Sequence, residues 1–131
     1  MKPTLLQTLL TDINALEPRW LDQLARRDAA KFGSAKYRRA VEAADTIENE
    51  ASQLAFGDND HTLLQSVRKA RLLVAAERLL RPDSGTDDCI RFLNEEEAYE
   101  WEVNENAPED IDYTDTPVER AQALMDNYRN I

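Results

Sequence analysis

Between Asp60 and Pro82 the chain reads DHTLLQSVRKARLLVAAERLLRP, and this stretch constrains whatever is built around it. Asp58 or Asp60 is placed to cap a helix, and Pro82 cannot continue one beyond Arg81. Leu63, Val67, Ala70 and Val74 recur three and four apart and share one stripe. Further on, Leu72, Leu73, Val74, Ala75, Ala76, Leu79 and Leu80 point nearly all round the cylinder. A helix that is apolar on every side must be covered on every side, so other helices are expected to surround it. Val74 and Leu80 are expected inside.

The segments before it supply such helices. Residues 4–16 put Leu5, Leu6, Leu9, Leu10, Ile13 and Leu16 on one broad face. Pro18 suits a first helical turn, so a second helix is predicted from about Arg19 to Phe32, burying Trp20, Leu21 and Leu24. Gly33 stops it, and Ser34 caps a third that runs to Phe56. In that third helix Tyr37, Ala40, Val41, Ala44, Ile47, Ala51 and Leu54 keep three-four spacing, and Gly57-Asp58-Asn59 turns the chain. Short links favour antiparallel neighbours, so the fold class is mainly α: an antiparallel bundle of four N-terminal helices.

After Pro82 the pattern changes. Tyr99, Trp101 and Val103 alternate with Glu100 and Glu102, the period of a half-buried strand, and Cys89–Leu93 offers a partner across Asn94–Glu97. A β-hairpin is the favoured reading; a helix through 88–102 competes, because Glu and Ala favour helix. Thr116-Pro117-Val118-Glu119 is a capping box with a first-turn proline, opening a last helix over about 117–129 with Val118, Ala121, Leu124, Met125 and Tyr128 inward. The chain reads as one domain, 1–131, with a bundle core (1–82), an acidic segment (83–116) and a C-terminal helix (117–131). At this length it is expected to bury roughly two-thirds of its unfolded surface.

Charge is unevenly divided. Residues 1–82 carry 13 Lys/Arg against 11 Asp/Glu, whereas 83–131 carry three against 15; the net charge of −10 therefore comes from the C-terminal part. Within it, residues 83–116 hold 13 acids and one base. Such segregation speaks to partners rather than to fold. No run approaches the ~20 apolar residues of a membrane span, and no signal-peptide pattern opens the chain. The single Cys89 has no partner for an internal disulfide, and a cytoplasmic location is expected.

Several chemistries are disfavoured. One His and one Cys do not make a His/Cys zinc site or a redox pair, and no glycine-rich phosphate loop is present. Cys89 and His61 form a nucleophile–base pair only in a formal sense; His61 reads as a neighbour of a helix cap. Asp110, Asp112 and Asp115 start like a calcium loop, but Asp115 stands where glycine is needed and Ala121 where glutamate is needed. No catalytic residue, metal or cofactor is expected, and the chain is read as non-enzymatic.

Two charged regions remain. Arg26, Arg27, Lys31, Arg38 and Arg39 form a basic corner, and Ala29-x-x-x-Gly33 imitates the turn of helix-turn-helix proteins. The imitation ends after the glycine, where Arg39 and Glu42 occupy positions that should be apolar, so direct nucleic-acid binding is not expected from it. This corner is also a possible docking site for the chain's own acidic segment. In that segment, Glu95, Glu96, Glu97, Glu100, Glu102, Asp110 and Asp112 are expected to project, with Tyr99 and Trp101 as aromatic anchors.

Carboxylates on a scaffold can imitate rows of phosphates and occupy the basic groove of a nucleic-acid-handling partner. That property is shared with acidic inhibitors of phage and mobile-element origin, anti-CRISPR and anti-restriction proteins among them, although no motif ties this chain to such a family. The expected function is thus an inhibitor or modulator acting through protein–protein interaction. A small DNA-binding accessory protein using the basic corner, and a subunit of a homo-oligomer, are the alternatives.

Overall fold

Thr62, rather than Asp58 or Asp60, caps the central helix. Its hydroxyl accepts from the Gln65 N–H at 3.1 Å, and the Gln65 side chain accepts from the Thr62 N–H at 2.9 Å. The Leu63 N–H donates to Glu48 Oε2 of the preceding helix, so another free donor of this same helix start is satisfied from outside. The computed structural model describes residues 3–104, 109 and 111–129. Among these, five helices pack against each other: α1 (Leu5–Ala29), α2 (Ala35–Phe56), α3 (Leu63–Leu79), α4 (Thr86–Val103) and α5 (Pro117–Arg129).

Helix α3 packs against each of the other four, which is why its apolar residues run round the cylinder. Leu63, Val67, Ala70, Leu72, Leu73, Ala75, Ala76 and Leu79 are buried; Val74 and Leu80 are only partly buried, against the same core. Into this core α1 contributes Leu6, Leu9, Ile13 and Leu16, α2 contributes Ile47, Ala51 and Ala55, α4 contributes Phe92, and α5 contributes Ala121 and Met125. The Thr4 hydroxyl donates to Glu77 Oε1 at 2.6 Å and ties the start of α1 to α3.

The predicted break at Pro18 does not occur. α1 runs through it as one helix, so the first 80 residues form three helices, not four. Proline removes one backbone donor, leaving the Asn14 carbonyl without its helical partner. Asn14 and Pro18 are both exposed, so water can satisfy that carbonyl. With the helix unbroken, Leu21 faces solvent, while Trp20 and Leu24 are half-buried. Leu5, Leu54 and Val118, also expected inward, are exposed.

The hairpin is likewise replaced. Residues 86–103 form helix α4, and the described residues contain no strand. Asp87 and Asp88 lie in its first turn, where carboxylates are favoured, and Asp88 accepts from the Gly85 N–H at 3.0 Å. Phe92, Glu96, Tyr99 and Val103 then fall on one helical face. Elsewhere Ser34 caps α2, Gly57 ends it at φ 74°, and Thr116 and Glu119 form the expected box at α5.

Candidate docking helix and basic groove

The inner face of α4 explains where part of the acidic segment goes. Asp88 pairs with Arg78 of α3 at 3.2 Å, and the Gly85 N–H holds its carboxyl below the ordinary value. Glu96, expected to project, is 6% exposed. Both its oxygens accept from Arg120 Nε of α5, at 3.1 and 3.0 Å. Arg120 also donates to the Asp112 and Asp115 carbonyls. Tyr99 faces α3, its ring centroid 5.2 Å from Lys69 Nζ, which also stands 5.8 Å from the Phe56 ring. Burial pushes the Tyr99 phenol up to about 12, with the Glu100 charge adding to it. Burial also lowers Lys69, partly opposed by Glu100.

The outer face is different. Ile90, Leu93, Glu97 and Trp101 lie three, seven and eleven residues along from Ile90 and line up on one exposed stripe. Ile90 is 51% exposed and Trp101 60%. Asp87 is exposed beside this stripe, and Glu95, Glu100 and Glu102 are part-exposed. One oxygen of Glu95 is shielded yet has no hydrogen-bond partner among the described residues. Of the predicted partner-binding residues, the structure therefore leaves Glu97 and Trp101 outermost and turns Glu96 and Tyr99 inward. Asp112 is exposed but engaged with Thr114, whose hydroxyl and N–H donate to it at 2.6 and 3.0 Å and lower its carboxyl. Asp110 lies outside the described residues. Ile90 and Leu93 were missed because a strand reading does not place them beside Trp101.

The basic corner sits at the other helix pair. Arg26 pairs with Asp22 at 3.1 Å and Arg27 with Asp28 at 3.0 Å; Lys31, Lys36, Arg38 and Arg39 form no ion pair among the described residues. No ion pair among the described residues links this corner to the acidic segment, which meets Arg78 and Arg120 instead. The described acids that do pair, Asp88 and Glu96, therefore dock on α3 and α5 rather than on residues 26–39. Between α1 and α2 lies an open cleft of about 630 Å³, with Gln23, Arg26, Ala29 and Ala30 on one wall and Lys36, Arg39, Ala40 and Ala43 on the other. Gln23 and Ala43 also line a second cleft of about 290 Å³ that reaches Arg19, Asp22 and Thr46. The two make one groove along the helix seam. Arg27, Lys31 and Arg38 are not among the residues that line it.

A third grouping has the residue types of a hydrolase triad but not its roles. Ser52, fully buried, donates to Asp58 Oδ1 at 2.7 Å, and His61 Nδ1 lies 2.8 Å from the same oxygen. Ser52 Oγ accepts from the His61 backbone N–H, while the imidazole stacks on Phe56 with centroids 3.5 Å apart. A nucleophile must direct its hydroxyl proton at the base, and here the hydroxyl hydrogen-bonds to the carboxylate instead. Burial would raise Asp58, but the bonds from Ser52, His61 and the Asp60 N–H outweigh it and lower the carboxyl. The arrangement clasps the α2–α3 turn. Cys89 lies partly buried against the core. The described residues hold no cluster of three or more His, Cys, Asp or Glu able to take a metal, and no described helix is long and apolar enough to cross a membrane.

No protein-family model, curated protein or solved structure matches this chain.

Proposed function

We propose that this protein acts by binding rather than by catalysis, as an acidic interaction module whose helix α4 docks on a basic, nucleic-acid-handling partner protein. The supporting observation is the outer stripe of α4. Ile90, Leu93 and Trp101 stay exposed on one line with Glu97, although the other face of the same helix is fully used by the fold. A helix laid in a groove is read through anchors at such spacing, and a half-exposed tryptophan is a strong anchor. The acids beside it, in a chain of net charge −10, match a groove rimmed by Lys and Arg and speed the encounter through their field. Occupying such a groove excludes the phosphate backbone that the partner otherwise holds, which is how an acidic module inhibits or modulates it.

The experiment is capture from a native lysate with immobilised wild type, Trp101→Ala, and the triple variant Glu97→Gln, Glu100→Gln, Glu102→Gln, each first checked for unchanged melting. The wild type is expected to retain a nucleic-acid-handling protein that heparin displaces and that both variants lose. Equal retention by all three proteins would remove α4 from the function.

A further inference from the structure

We propose that the cleft between α1 and α2 is a binding site for a small ligand carrying two or three phosphates. It is separate from the α4 face and of opposite sign. Across the cleft, Gln23, Arg26 and Ala30 of the α1 side are spaced three and four apart, as are Lys36, Arg39 and Ala43 on α2, so each set lies on one helical face. Alanines 29, 30, 40 and 43 line the space between the helices, and Arg26, Lys36 and Arg39 reach it, Arg26 with its charge already paired to Asp22 at 3.1 Å. None of the residues lining this cleft is acidic. Lys36 and Arg39 form no ion pair among the described residues. The start of α2 adds to the field, because its first turn contains no acid to offset the positive end of the helix dipole.

At about 630 Å³ the cleft has the size of an ordinary small-molecule site. Lys36 and Arg39, which form no ion pair among the described residues, with Arg26 beside them, match more than one negative charge carried on one compact group, which an oligophosphate supplies and a single carboxylate does not. Arginine adds forked donors suited to phosphate oxygens. The second cleft, which contains Asp22 and Arg19, leads away from the cationic end and is the less suitable half for a polyanion.

Isothermal titration of the full chain with sodium tripolyphosphate and with ATP tests the assignment, alongside an oligothymidylate of about ten nucleotides, within the range of known single-strand site sizes. Wild type is expected to bind both small probes, with affinity falling as salt rises. The exposed pair Lys36→Gln, Arg39→Gln is expected to weaken that binding about tenfold or more, with melting unchanged. Arg38→Gln, next to Arg39 but outside the lining, is expected to leave it within about twofold of wild type. No binding of either small probe by wild type would overturn the proposal. So would equal weakening by Arg38→Gln, which would mark diffuse surface charge. Binding of the oligothymidylate without binding of tripolyphosphate would replace it with a nucleic-acid surface.

Discussion

Arg120 Nε of α5 lies 3.1 and 3.0 Å from the two carboxylate oxygens of Glu96 on α4, and the two side chains are only 10% and 8% exposed. This pair joins the acidic segment to the C-terminal helix. Arg120 also holds the loop before α5 through the Asp112 and Asp115 carbonyls and stands 5.8 Å from the Tyr113 ring. One side chain thereby fixes a helix, a loop and a helix start.

Removing one member of the pair leaves the other charge covered and uncompensated. Glu96→Leu or Arg120→Met alone is expected to cost about 3–5 kcal/mol, whereas the double change Glu96→Leu, Arg120→Met restores most of it, since a well-packed apolar pair replaces a buried ion pair at little cost. Urea unfolding of the four proteins measures the cycle. Single variants losing less than about 1 kcal/mol would show that the pair is no more than a surface contact.

Pro18 lies in the interior of α1, where it removes the bond to the Asn14 carbonyl. Since both residues are exposed, Pro18→Ala is expected to restore the bond without disturbing packing and to stabilise the protein by about 1–3 kcal/mol. A lower melting temperature for Pro18→Ala would mean that the proline sets a bend the core depends on.

Tyr99 is expected to ionise late. Its phenol is raised to about 12 in the fold, against 10 in the unfolded chain. The unfolded state therefore loses the proton first, so this stabilisation is complete below pH 10 and is lost as pH rises towards 12. Lys69, lowered by burial, works in the opposite sense, adding stability as the unfolded amine also loses its proton. Phenolate absorbance followed against pH is expected to show one late step near pH 12 that is missing in Tyr99→Phe. A late step that persists in Tyr99→Phe would assign it elsewhere.

Much of the architecture was legible before any coordinates. The apolar girth of residues 63–80 demanded helices around it, and Ser34, Gly57 and the Thr116–Glu119 box marked ends that the structure keeps. These are local rules, settled within one or two turns. Pro18 and residues 88–103 were decided by what lies far away in sequence. Proline opposes a helix locally, but α1 needs a continuous surface against α2 and α3, and the freed carbonyl faces water. In 88–103 the alternation of Tyr99, Trp101 and Val103 with glutamates satisfies a strand as readily as a helix. What tips it is Arg120, 24 residues beyond Glu96, which makes that glutamate an inward residue and so allows Phe92, Glu96 and Tyr99 to share a buried face. The same rotation turns Ile90, Leu93 and Trp101 outward together, creating the stripe on which the proposed function rests. Sequence periodicity determined that helices must surround α3. Which glutamates are buried and which aromatic meets solvent was decided by tertiary packing, because a charge enters the interior only where a distant residue supplies its partner.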